Sequence, residues 1–165
     1  MREKNKNILG IDTGSTTIGY GVVSYTDTPH SPKLVDFGYI DLKKHKDESK
    51  KLLQLYKDVK EIFKQFKPYN IAIESIYFFK NAKTITPVMQ SKGVILLAAA
   101  EANIKVFEYP PLKVKQTISG NGRADKLLVE QMVKSILGIK SKIRPDDSSD
   151  ALAIALCHLR YLTIS

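Results

Sequence analysis

Four carboxylates stand where an ionised group is either costly or useful. Asp12 ends the apolar run Ile8-Leu9-Gly10-Ile11, and Glu74 ends a second, Ile71-Ala72-Ile73. Asp147 and Asp150 lie near the start of a C-terminal apolar segment, and their i, i+3 spacing puts them on one face of a helix. Plainer explanations exist. Asp147 fits a helix N-terminal charge favoured by the dipole, and Asp12 fits a turn residue before Thr13-Gly14. Glu74 resists one: at the mouth of a buried strand an ion is costly unless paired, and its own strand carries no lysine or arginine. Sites in α/β proteins commonly form at the carboxyl edge of the sheet. If the strands of Asp12 and Glu74 are parallel neighbours, three or four negative charges share one pocket with the helix start. Their repulsion calls for divalent cations, and oxygen ligands without a His-Cys set favour Mg²⁺ or Mn²⁺ over zinc. Such a pocket suits phosphodiester hydrolysis, where two metals about 3.5–4 Å apart activate a water and stabilise the departing 3′ oxygen.

The elements that must position these acids follow from periodicity. Residues 8–12 and 18–25 read as strands joined by the turn TGSTT, and 34–42 as a third, giving an antiparallel meander. Leu52, Leu55, Tyr56, Val59, Ile62, Phe63 and Phe66 recur at helical spacing, from a cap at Ser49 to a stop at Pro68. Residues 71–75 form a strand buried on both faces. An Ala-rich helix is expected over 87–103, a strand over 104–109, and helices over 124–138 and 146–162, the last with Pro145 before it and Asp146 or Asp147 near its cap. The order βββ-α-β-α-β-α-α implies an α/β fold: a mixed five-stranded sheet flanked by helices on both faces. The whole chain, 1–165, reads as a single domain, with residues 1–7 as a flexible N-terminal arm.

Composition bounds the rest. With 165 residues, 43% hydrophobic and 26% charged, the chain is an ordinary globular one with room for a real core. No apolar run is long enough to cross a bilayer, and the start lacks the apolar stretch of a signal peptide, so no membrane partner and a cytoplasmic location are expected. Cys157, the one cysteine, reads as a buried thiol. A net charge of +9 points to a polyanionic partner, although the lysines from Lys43 to Lys67 also fit the wet face of a helix. Residues 76–83, IYFFKNAK, interleave aromatics with lysines including Lys83, which suits base stacking beside phosphate contacts; core packing of Phe78 and Phe79 is the alternative. Residues 105–144 hold nine lysines and arginines against Glu108, Asp125 and Glu130. Within them, SGNGRAD (119–125) offers backbone amides to a phosphate, or is a loop with no contact.

Four segments, ILGIDTGSTTIGYGVV, IAIESIYFFKNAKT, QSKGVILLAAAEANIKVFEYPPLKVKQTISGNGRADK and PDDSSDALAIALCH, each resemble the matching segment of the RuvC Holliday-junction resolvase family, in the same order and at similar spacing. The resemblance spans about Ile8 to Leu162. It implies a ribonuclease H-like fold and a Mg²⁺-dependent endonuclease, with two ions per subunit and Mn²⁺ able to substitute. It implies paired symmetric nicks that resolve four-way junction DNA in recombination and repair. It puts the catalytic, metal-holding carboxylates at Asp12, Glu74, Asp147 and Asp150; the D-x-x-D-A-L-A register favours Asp147 over Asp146. It puts Lys115 and Lys126 near the scissile phosphate, Lys115 with a catalytic role, and a base-contacting wedge at Tyr77. It makes a junction-contacting loop of the segment containing Arg123. It also implies a homodimer that works beside the RuvA–RuvB branch-migration complex. The long helix around Met89 to Ala100 is the candidate dimer surface.

Two rival readings stand beside this one. GIDTGSTTIGYGVV also resembles the phosphate-binding turn of actin-like and sugar-kinase-like ATPases, but those use two related domains and this chain supplies one. A non-cutting scaffold of the same fold is the other, and the full set of acids argues against it.

Overall fold

In the computed structural model, which describes residues 5–26, 31–76 and 82–164, five strands and five helices alternate much as the periodicities require. Strands β1 (Lys6–Asp12), β2 (Thr17–Tyr25) and β3 (Lys33–Asp41) form the antiparallel meander. Helix α1 (Glu48–Phe66) then leads to β4 (Asn70–Glu74), and α2 (Ala82–Glu101) to β5 (Lys105–Tyr109). Three helices complete the chain: α3 (Pro111–Ser119), α4 (Lys126–Leu137) and α5 (Asp146–Ile164). The sheet order is β3-β2-β1-β4-β5, with β4 parallel to both neighbours. The mixed five-stranded sheet with helices on both faces is therefore present.

Strand alternation splits the core in two. Leu9 and Ile11 of β1 and Ile71 and Ile73 of β4 face α1 and α2, where Leu55, Val59, Phe63, Ile95 and Ala99 cover them. Ile8 and Ala72 face the other way, under α3, α4 and the apolar run Ala151–Cys157 of α5. A polar cluster is buried in that second layer. His158 of α5 is 1% exposed; Asn70 Nδ2 lies 3.0 Å from its Nε2 and the Tyr109 hydroxyl 2.7 Å from its Nδ1. Phe107 stacks on the ring at 4.4 Å. Burial pulls the imidazole pKa down to about 4, so the ring is neutral and carries its two bonds without a counter-charge. Cys157 beside it is a buried free thiol, as its apolar surroundings suggested.

The elements differ from expectation in four places. The cap of α1 is Asp47, whose carboxylate accepts from Lys50 N at 2.9 Å; Ser49 lies inside the first turn and its hydroxyl donates to Asp47. Helix α2 begins at Ala82, not 87, and Pro87 is carried inside it, near enough to the start that one backbone bond is forfeited and the helix continues. Helix α3 was not foreseen. It is only nine residues long, opened by Pro111 at its first turn and closed by Gly120 at φ 76°. Lys6 and Asn7, expected in the N-terminal arm, instead pair with β2, and Asn7 Nδ2 donates to Phe66 O at 2.6 Å.

Candidate active site

Strands β1 and β4 run parallel with Ile11 beside Ile73, so the next residues, Asp12 and Glu74, leave the same edge of the sheet. Helix α5 brings the other acids by lying against the strands almost without side chains between. A Cβ on Gly10 would stand 2.0 Å from Ala151 O, and one on Gly19 2.1 Å from Asp147 O. On Gly21 it would meet the Leu152 side chain at 2.7 Å. Gly10 and Gly21 are cross-strand partners, and Gly19 is the partner of Asp12. The glycines therefore set the helix down with Asp147 over the Asp12–Gly19 pair. Ser148, fully buried, donates to Gly38 O at 2.8 Å and fastens the first turn of α5 to β3.

The result is a pocket of about 250 Å³ in which Asp12, Glu74 and Asp150 meet Lys115 of α3 and Lys126 of α4. Pro111, Val114, Val129, Ala153 and Ile154 supply its apolar wall. Lys126 Nζ is 3.1 Å from Asp150 Oδ2. Asp147 does not line the hollow itself, but its side chain hydrogen-bonds Asp12 from behind. Asp146 turns away to pair with Arg144, which separates the two adjacent aspartates by their partners.

Crowding like charges out of water has the expected consequence. Burial, then the charges of Asp150, Glu74 and Asp147, push the Asp12 pKa up to about 8. Burial and Asp150 also raise Glu74, against the opposing pull of Lys115 and Lys126. Burial raises Asp150 too, although its contact with Lys126 works the other way. Burial alone would lower Lys126, but its bond to Asp150 and the charges of Asp150, Asp146 and Asp12 outweigh that and raise it. Asp12 thus retains its proton at neutral pH despite the two lysines nearby. Among the described residues no group of three or more His, Cys, Asp or Glu side chains is already arranged to hold a metal ion. The donor chemistry nevertheless fits a hard divalent cation: the acids are oxygen donors, and the cation would relieve the repulsion the proton now relieves.

Other expected residues lie apart. Arg123 is exposed on the loop before α4, and Lys83 is exposed in the first turn of α2; neither lines the pocket. Tyr77, Phe78 and Phe79 lie outside the described residues. The loop 119–125 does not offer its amides freely. Gly120 N donates to Gln116 O, Asn121 N to Ser119 Oγ, Arg123 N to Asn121 Oδ1 and Ala124 N to Asn121 O. These four amides are therefore already bonded within the loop and its flanking helix turn. A larger groove of about 550 Å³ lies at the opposite end of the sheet, between the ends of α1 and α2. Its one acid, Glu101, is already bonded to Tyr56 and Lys60, so chemistry rather than size selects the smaller hollow. The residues that sequence reasoning passed over are Gly10, Gly19 and Gly21. Their signal was visible, since glycine inside a strand marks a close backbone approach.

Comparison with known proteins agrees with this geometry. The family model for crossover junction endodeoxyribonuclease RuvC matches residues 8–158. The RuvC of Caldanaerobacter subterraneus subsp. tengcongensis is 43% identical over 151 residues, covering 92% of this chain and 90% of that protein. That of Ruminiclostridium cellulolyticum is 44% identical with the same coverage. Thermus thermophilus RuvC in complex with Holliday junction substrate superposes with a TM-score of 0.90 at 33% identity, over 96% of each chain.

Proposed function

The chain belongs to the RuvC family of crossover junction endodeoxyribonucleases, and from that premise we propose how its residues divide the work. It is a Holliday-junction-resolving endonuclease, a DNA-cleaving hydrolase of recombination and repair in a metal-dependent family with a ribonuclease H-like fold. Membership over residues 8–158 displaces the two-domain ATPase reading. One observation carries the assignment of roles: three acids from β1, β4 and α5 open into one hollow with two lysines, and a fourth acid is bonded behind them.

Asp12, Glu74, Asp147 and Asp150 are the catalytic carboxylates and would hold Mg²⁺, two ions per subunit, for which Mn²⁺ would substitute. Bound there, the ions supply an activated water and charge stabilisation for the departing 3′ oxygen. The chain's own groups do the rest. Glu74 and Asp12, fixed on neighbouring parallel strands, set the spacing across which the phosphate lies. Lys115 meets the charge that develops on that phosphate, and Lys126, whose ammonium now rests on Asp150, steadies it from the other side. The apolar wall from Val114 to Ile154 keeps bulk water off, which strengthens each of these charge interactions. Asp146 takes no part as a ligand, because Arg144 occupies it.

Lys83 and Arg123 contact the DNA outside the hollow, and Tyr77 acts as a wedge against unstacked bases. The protein acts as a homodimer, each subunit nicking one of two like-polarity strands. The face of α2 with Met89 45% and Leu97 64% exposed supports that helix as the contact. Residues 1–165 make one nuclease domain, working in the cytoplasm beside RuvA–RuvB; no helix among the described residues is long and apolar enough to cross a membrane. The test is incubation with a synthetic four-way junction and Mg²⁺. Paired nicks at symmetric positions are expected; tight binding with no cut in Mg²⁺ or Mn²⁺ would leave a scaffold.

A further inference from the structure

A second hollow opens beside the catalytic one. It measures about 190 Å³ and is lined by Leu127, Glu130, Arg144, Asp146 and Ser149 together with Lys126 and Asp150. Those last two residues also line the catalytic pocket, so the two hollows share a wall. We propose that this groove is the subsite for the nucleotide adjoining the scissile phosphate, with Arg144 taking that nucleotide's phosphate and Leu127 its sugar or base. The assignment rests on the junction-cutting reading.

Arg144 is suited to an anion it does not yet hold. Both of its contacts, to Ile143 O at 3.1 Å and to Asp146, use Nη1 alone. Nε and Nη2 have no partner among the described residues, and together they form the flat fork that matches two oxygens of a phosphate. The pair with Asp146 is open to solvent, with the side chains 50% and 59% exposed, which limits its strength. Its charge is needed there all the same. Asp146, Asp150 and Glu130 all edge the groove, and without a guanidinium beside Lys126 they would turn a polyanion away. Leu127 answers the other half of a nucleotide. It is 63% exposed in the first turn of α4, followed by Leu128 at 38%. An aliphatic side chain standing in solvent beside a phosphate site fits against a deoxyribose or a splayed base.

The competing role for Arg144 is that of a staple, pairing Asp146 merely to steady the start of α5, and the two roles predict opposite behaviour. The measurement is affinity of the full chain for a synthetic four-way junction without divalent cation, over a range of salt. The subsite predicts that R144A binds about tenfold more weakly at low salt. Its log–log salt slope falls by about 0.9, one phosphate's worth. R144K keeps the slope but recovers only part of the affinity. D146N binds as tightly as the native chain or more so, and L127S loses affinity with no change of slope. A neutral methylphosphonate beside the scissile position weakens the native protein and costs R144A nothing further. A native slope in R144A, or equal weakening by R144A and D146N, makes the arginine a staple. A methylphosphonate that costs the native protein nothing at either flanking position overturns the subsite without reliance on any variant's folding. If the native chain cuts the junction in Mg²⁺ while these results fail, the subsite alone is lost; if it neither binds nor cuts, the junction reading falls with it.

Discussion

The two faces of the sheet are covered by different means. On one, α1 and α2 are held off by full-sized side chains, Val59, Phe63 and Ile95 against Leu9, Ile11, Ile71 and Ile73. On the other, α5 rests on Gly10, Gly19 and Gly21, so near that a single methyl group would strike its backbone. The alternation of β1 makes the division residue by residue: Leu9 and Ile11 to the first face, Ile8, Gly10 and Asp12 to the second. At its three glycines the second face gives up side-chain burial so that an aspartate on a helix can touch an aspartate on a strand.

That contrast can be broken in graded ways. The largest effects belong to the acids. D12N and E74Q should each lower single-turnover cleavage of a junction by about a thousandfold or more while leaving junction affinity intact; full-rate cutting by either would remove it from the site. Next comes the glycine layer. G19A must displace Asp147, and a shift of this kind should cost about a hundredfold in cleavage at saturating protein. Its counterpart on the other face, I95A, should lose about 2–4 kcal/mol in denaturant unfolding yet cut within about twofold of the native rate while folded. Equal loss of cleavage in both would erase the distinction drawn here. K115A should match G19A in cleavage, slowing it about a hundredfold while changing affinity at fixed salt by less than about tenfold.

The smallest effect concerns pH. The folded protein holds a proton on Asp12 up to about pH 8, whereas the unfolded chain releases it near 3.8. Between those values the folded state binds more protons, so metal-free stability falls as pH rises, and the loss is complete above pH 8. D12N removes that penalty. Without metal it should melt higher than the native chain at pH 8, by the equivalent of about 1–3 kcal/mol, and at nearly the same temperature at pH 4. Identical melting curves at pH 8 would mean the acids do not crowd one another.

The sequence carried the strands and most helices because their burial is periodic, and Asp12 and Glu74 announced themselves by ending runs that are otherwise wholly apolar. Spacing alone could not say that these strands are neighbours. That follows from β4 inserting beside β1 instead of beside β3, a choice made by long-range packing. Helix α3 escaped notice because nine residues yield only Val114 and Ile118 as a buried pair, too few to establish a period. Its loss mattered, since α3 is what presents Lys115 to the pocket. The family register favoured Asp147 over Asp146, but the physical separation was out of reach, because it depends on which of two consecutive carboxylates Arg144 meets.

A rod laid on glycine has few knobs to keep it from sliding lengthwise. The imidazole of His158 serves as the index pin. Displacing α5 by one turn, about 5.4 Å, would strip Asn70 and Tyr109 of their shared partner inside a dry layer, at the cost of buried polar groups left without bonds. Asn70 begins the same strand that Glu74 ends, so the pin gauges the helix against the acid it must serve. Alignment of the nuclease is thereby fixed by a residue that never meets its substrate.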